Sequence, residues 1–125
     1  MTINSSTLNG KSPATGGGLA NNGSDGFYVS VQISSTTFGS NSAAQVGGNI
    51  YNVSQADHDT VIVTLTNTIL KRDTVGDNIF SDSATIISLG YNLGNDSCGG
   101  FLTGLAISLA PIQCSARCRV MADLP

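Results

Sequence analysis

The chain has 125 residues, which allows at most one domain with a modest core. Five Lys or Arg stand against eight Asp, for a net charge of −3, with no Glu, no Trp and abundant Ser, Thr, Asn and Gly. This balance argues against a nucleic-acid partner and against long soluble helices; Thr, Val and Ile with Asn and Gly favour short strands joined by corners, and no run is long enough to span a membrane.

Met1 is followed at once by Thr2 and Ile3, which already read as a strand, so no export leader is legible and the start is expected to lie inside a larger protein. A first unit runs over residues 1–23, with Ile3 and Leu8 thirty positions before Ile33 and Phe38. Gly17, Gly18 and Leu19 match Gly47, Gly48 and Ile50 with a slip of one residue. The cluster Asn21-Asn22-Gly23-Ser24-Asp25-Gly26 reads as a loop leaving the unit, because Asn, Asp and Gly tolerate left-handed dihedrals.

Residues 31–52 are the fullest copy. A β-type run (Val31, Ile33) leads to a second ending in Phe38, a polar corner holds Asn41, and Gly47-Gly48 opens a third run at Ile50 and Tyr51. A loop is expected over 53–60, with Asp57-His58-Asp59 in it. The third copy begins at Val61, and alternation puts Val61, Val63, Leu65, Asn67 and Ile69 on one side and Ile62, Thr64, Thr66 and Thr68 on the other. Its offset from the second copy is 32, Leu65 matching Ile33 and Leu70 matching Phe38. Lys71-Arg72-Asp73 reads as a corner, and Gly76-Asp77-Asn78-Ile79-Phe80 replays Gly47 to Tyr51. A shorter fourth unit covers 85–93, turned by Gly94-Asn95-Asp96, and Cys98-Gly99-Gly100-Phe101-Leu102 is the last stretch that fits.

Three short strands and three corners in about thirty residues are the content of one coil of a parallel β-helix. The expected fold is therefore all-β, a right-handed parallel β-helix of three to four coils over 1–104 with an irregular tail over 105–125. Ile3, Ile33 and Leu65 should stack inward in one column and Leu8, Phe38 and Leu70 in another. The same registers put Ser5, Ser35 and Asn67 in an inward polar column. With no capping helix legible at either end, the outer coils should expose strand edges and make the isolated chain prone to associate.

The motifs Phe38-Gly39-Ser40-Asn41 and Gly47-Gly48-Asn49-Ile50 resemble the F-x-x-N and G-G-x-I repeats of polymorphic outer-membrane-protein-type β-helices. Asn67-Thr68-Ile69 with Gly90-Tyr91-Asn92-Leu93 resembles the C-terminal coils of bacterial surface proteins of the CSLREA-associated, choice-of-anchor type. The resemblance covers about 1–104. It implies a right-handed parallel β-helix in a large secreted or surface-attached protein and carries over no catalytic residue. The chain departs from that family in being short, in lacking upstream coils and an export signal, and in its last twenty residues.

That tail brings Cys114, Arg117, Cys118 and Arg119 together, and the Asn-Gly corners stop. The resembling family continues after G-G-F-L-T-G into a Gly-, Asp- and Pro-rich segment beginning G-D-Q. The genetic code permits that segment in another frame, two bases on from Leu105. The expectation is thus that 105–125 is a frameshifted read-through, and that Cys114 and Cys118 are neither a disulfide nor a metal pair.

Candidate sites each have a plainer reading. Asp57-His58-Asp59 holds the only His, but neighbours on an extended chain point apart and no second His or Cys joins them, so a solvated loop is expected. Asp73, Asp77 and Asp82 offer oxygen ligands for Ca²⁺ without the nonapeptide of calcium β-rolls, and read as surface carboxylates. Thr64, Thr66 and Thr68 suggest an ice-binding ladder, yet they stack on Gln32 and Thr2, on Ser34 and Asn4, and on Thr36 and Ser6, which is irregular; outward β-formers are expected. The glycine pairs lack the Lys-Ser or Lys-Thr of a phosphate loop. Lys71-Arg72 reads as a solvated turn. Tyr28, Tyr51 and Tyr91 could stack on sugars if aligned, with at least one expected in the core. No catalytic, cofactor or metal residue is assigned. The function expected is a structural or adhesive segment whose partners are surface glycans, proteins or neighbouring coils. A carbohydrate-active β-helix enzyme is the first alternative, although Asp25, Asp57 and Asp77 lack column partners, and a non-functional gene fragment is the second.

Overall fold

The computed structural model describes residues 1–72 and 76–102 together with 107–108, of which 72, 107 and 108 are described by backbone alone. It is all-β, with twelve strands: β1 Thr2–Asn4, β2 Thr7–Asn9, β3 Leu19–Gly23, β4 Tyr28–Ser34, β5 Thr37–Asn41, β6 Ile50–Ser54, β7 Thr60–Thr66, β8 Ile69–Arg72, β9 Ile79–Asp82, β10 Thr85–Ser88, β11 Leu93–Gly94 and β12 Ile107–Ser108. They form three sheets, ordered β1-β4-β7-β10, β12-β11-β8-β5-β2 and β3-β6-β9, and the named strand pairs are all parallel. Successive strands up to β11 visit the first, second and third sheets in turn.

The predicted columns are present. Ile3 pairs with Ile33 and Ile33 with Leu65 in the first sheet, and Leu8 with Phe38 and Phe38 with Leu70 in the second. Leu19, Ile50 and Ile79 make the third column. Side chains from all three sheets meet in one hydrophobic cluster, where Phe38, Ile50, Leu65 and Leu70 are completely buried. Each such burial contributes about 1.5–3 kcal/mol before the cost of ordering the chain.

The corners are as regular as the strands. Ser5, Ser35, Asn67 and Tyr91 all have left-handed backbones, with φ of 48°, 49°, 48° and 57°. Gly16, Gly47 and Gly76, also at positive φ, each stand three residues before the third-sheet Leu19, Ile50 and Ile79. At Gly17 φ is ordinary, but a Cβ there would lie 2.1 Å from the Gly48 carbonyl oxygen, so the two backbones approach too closely for any side chain.

The left-handed residue corrects one expectation. Ser5, Ser35 and Asn67 point outward and are exposed, although Asn67 does donate to Ser35 Oγ at 3.2 Å. One residue in that conformation reverses the inward–outward alternation, so Thr36, Thr68 and Leu70 turn inward while Asn67 and Ile69 are exposed. Thr68 is accordingly not an outward β-former. The hydroxyls of Ser6, Thr36 and Thr68 donate to the carbonyls of Asn4, Ser34 and Thr66, two residues back, at 2.8–2.9 Å.

Other boundaries differ too. Asn21-Asn22-Gly23 is not a loop: it completes β3, with Asn21 buried under β6. The loop expected over 53–60 shrinks to 55–59, because Val53 and Ser54 finish β6 and Thr60 starts β7. Lys71 and Arg72 belong to β8 rather than to a corner, opposite a bulge that skips Ser40. Cys98–Gly100, in the last stretch that fits the repeat, forms a 3-10 turn. Of the tail, Ile107 and Ser108 pair in parallel with Leu93 and Gly94; its frameshift reading, Cys114 and Cys118 fall outside the described residues.

Candidate functional site

Asparagine supplies the polar chemistry of the interior. Asn41 donates its amide to Leu8 O at 2.9 Å and to Asn49 Oδ1 at 2.8 Å, and its own Oδ1 accepts the Lys11 backbone N–H. Asn49 in turn donates to Asn78 Oδ1. Asn78 donates to Asn95 Oδ1 and to Asp96 Oδ1, both at 2.8 Å. The amide dipoles therefore point one way along the series of side chains and end on a carboxylate; hydrogen bonds in such a chain polarise one another.

Asp96 is 5 % exposed. Burial alone would push its carboxyl up, but the backbone and side-chain N–H groups of Asn78, with the thiol and backbone N–H of Cys98, outweigh it and hold the group below its ordinary value. Burial, reinforced by the neighbouring Asp96, pushes the Cys98 thiol far up, so it is a neutral, inert core group. A second ladder links Asn21 to Asn52 Oδ1 at 2.8 Å, and Asn52 to Ser81 Oγ and Thr85 O. Asn92 bonds the Thr68 N–H, Leu65 O and Ser88 Oγ. The sequence carries a trace of this, since Asn49 and Asn78 each directly precede the third-sheet Ile. Composition alone assigned these amides to corners.

Two shallow depressions mark the outside. One, of about 260 Å³, is lined by Ser54, Gln55, Ala56, Asp57, Asp59 and Ser83. Here Asp57 and His58 are exposed, whereas Asp59 is held in the loop: its Oδ1 accepts the Gly26 N–H, and its Oδ2 accepts the Ala56 N–H at 3.1 Å and the Ser54 hydroxyl at 3.3 Å. The three residues do not converge on a reacting atom. The other, of about 220 Å³, lies on the outer face of the first sheet and includes Thr2, Gln32, Ser34, Thr64, Thr66 and Leu89. Its rows are mixed, Thr2–Gln32–Thr64–Ile87 along one register, so the outer face has no continuous threonine ladder.

The tyrosines do not share a face. Tyr28 and Tyr91 are 70 % and 68 % exposed, one at the start of β4 and one at a corner. Tyr51 lies half-buried on the outside of the third sheet, its ring stacked on Phe80 at 5.8 Å, so none of the three is in the core. Asp77 and Asp82 are exposed and Asp73 falls outside the described residues, among which no group of three or more His, Cys, Asp or Glu stands close enough to hold a metal. Gly47 and Gly76 are corner glycines followed by strands, not by a helix. Lys71 is exposed on β8. No helix among the described residues is long and apolar enough to cross a membrane.

No family model, curated protein or solved structure matches the chain.

Proposed function

We propose that the chain is a run of coils from a right-handed parallel β-helix, serving as a structural or adhesive segment of a secreted or cell-surface bacterial protein and performing no catalysis of its own. The observation that carries this reading is the cyclic strand order: the chain leaves the first sheet at β1, returns to it at β4, β7 and β10, and pairs in parallel each time. Strands that return in this way, with side chains converging on one core, are what a coil requires. Right-handedness follows from the strong preference of parallel crossover connections for that hand. The resemblance of the Phe38–Asn41 and Gly47–Ile50 motifs to surface-protein repeats supports the cellular setting.

The buried chemistry favours a scaffold. The Asn ladders satisfy one coil with the next and present nothing to a ligand. On the outside, a glycosidase needs two carboxyl groups flanking one bond. At the groove beside the 55–59 loop, Asp57 is exposed but both oxygens of Asp59 are engaged in holding the loop. Incubation with pectins and other polysaccharides, followed for new reducing ends and unsaturated products, tests the reading. The expected result is retention on surface glycans or proteins without turnover. Product release abolished by Asp57→Ala or Asp77→Ala would replace the scaffold with an enzyme.

A further inference from the structure

In an Asn-Gly dipeptide the asparagine side chain can meet the next backbone nitrogen with little hindrance, because glycine brings no Cβ and turns freely. The sequence contains two such pairs, Asn9-Gly10 and Asn22-Gly23. They stand on β2 and β3, which lie at the same end of their sheets, so what distinguishes them is local. Asn9 is the last residue of the three-residue β2, and both it and Gly10 are exposed. Gly10 has a φ of 67°, and no described atom lies within 4 Å of where its Cβ would be. Its N–H reaches Gly39 O at 3.3 Å, past the usual length of such a bond. Asn9 itself pairs with Gly39, so the β5 position beside it carries no side chain.

Asn22-Gly23 is the opposite case. Asn22 is exposed, but it lies inside a five-residue strand, and Gly23 is buried. The two pair in register with Val53 and Ser54 of β6, and the Gln55 N–H bonds Gly23 O at 3.0 Å. A Cβ on Gly23 would sit 2.2 Å from Val61 Cγ2, so the backbone there is packed on a β7 side chain and has no room to turn.

We propose that Asn9 is a site of spontaneous deamidation, with water as the co-reactant, and that the fold withholds Asn22 from the same reaction. The Gly10 nitrogen gives its proton to hydroxide and attacks Asn9 Cγ; the N–Cγ bond forms, the Cγ–Nδ2 bond breaks, and ammonia leaves. Water then opens the cyclic imide, at Cγ to give aspartate or at the backbone carbonyl to give isoaspartate. The net change is from an amide and water to a carboxylate and ammonium, with no electron transfer. In a strand the N–H lies in the plane of the sheet and the side chain stands off it, so ring closure requires local opening. At Asn9 that opening breaks one long hydrogen bond at a strand end. At Asn22 it breaks the pairing with β6 and the contact with Val61. The new carboxylate stands on the second sheet in the row Asn9–Gly39–Lys71, with only a glycine between it and the position of a lysine.

The test is incubation of the full chain in mildly alkaline buffer, followed by trypsin and tandem mass spectrometry to locate each amide converted to an acid. Trypsin cuts after Lys11 and so separates Asn9 from Asn22. Conversion at Asn9 should run at least about tenfold faster than at Asn22, since reaction through opened states follows the opening equilibrium. In concentrated urea the two rates should converge, because each dipeptide is then free. Asn9→Gln should all but abolish conversion within residues 1–11, as its larger ring closes more slowly. Absence of conversion at Asn9 in native buffer overturns the proposal, and so do rates there that are similar at the two sites or faster at Asn22. Conversion within residues 1–11 that survives Asn9→Gln moves the site to Asn4 and overturns it too. A gap that persists unchanged in urea overturns the protection of Asn22 by the fold.

Discussion

Thr36 and Thr68 occupy the same place in successive repeats, each fully inside and each bonding the carbonyl two residues before it, at 2.8 and 2.9 Å. Neither hydroxyl faces its counterpart; each closes its own corner. Because the preceding residue is left-handed, the hydroxyl is what ties the turned chain back to the strand it has just left.

Thr36→Val and Thr68→Val should therefore each destabilise the fold by about 0.5–1.5 kcal/mol, the usual net value of one intramolecular hydrogen bond. The cost should sit at the low end at both, since Ser34 O keeps the Ser5 N–H and Thr66 O keeps the Ser35 N–H as a second partner. Chemical denaturation measures both. Variants as stable as the parent would show that shape alone fills these positions.

The corner backbone makes a different demand. At φ of 49° Ser35 tolerates glycine but not a β-branched residue. Ser35→Val should cost about 1–2 kcal/mol, and Ser35→Gly much less. The same denaturation experiment would contradict this if valine were accommodated as well as glycine.

Gly17→Ala should be the most damaging of the small changes. Its Cβ would meet backbone, at 2.1 Å from Gly48 O and 2.6 Å from Ser42 O, and backbone cannot step aside as a side chain can. Loss of about 3 kcal/mol or more, or failure to fold, is expected from forcing the coils apart. Gly26→Ala, with open space around its Cβ, should lose only the smaller penalty of its positive φ. Equal effects would argue against close coil stacking at Gly17.

Acid should act through Asp96. Its folded-state carboxyl is depressed below the ordinary 3.8, because the hydrogen bonds donated by Asn78 and Cys98 outweigh burial. A depressed acid contributes stability above its unfolded value and loses it as pH falls from there through the folded value. Asp96→Asn should thus be less stable than the parent at neutral pH, with the gap closing below pH 3.8. A gap unchanged by pH would remove Asp96 from its role as the terminus of the amide chain.

What was legible in the sequence was whatever recurs with the coil. Ile33 to Leu65 and Phe38 to Leu70 keep one offset, and large apolar side chains leave little freedom about which way they face. The corners were less legible, since alternation extended through Asn67 and Ile69 assumes an unbroken strand, and a single left-handed residue reverses it. The local preference of Asn21 and Asn22 is for turns; burial of Asn21 against Asn52 and pairing with β6 override it. The Asn41–Asn49–Asn78–Asp96 chain was the least legible, because which amides point inward is decided by three-dimensional stacking rather than by spacing along the chain.

The most direct test of the coil is the environment of the Phe38 ring, measured by nuclear Overhauser contacts in the folded chain. Three sheets meeting in one core place that ring beside Leu8 and Leu70 on the neighbouring strands and against Gly18, which leads into the third sheet. The account predicts contacts from the Phe38 ring protons to the Leu8 and Leu70 methyls and to the Gly18 α-protons. A ring in contact only with residues of its own strand, or open to water, would contradict it.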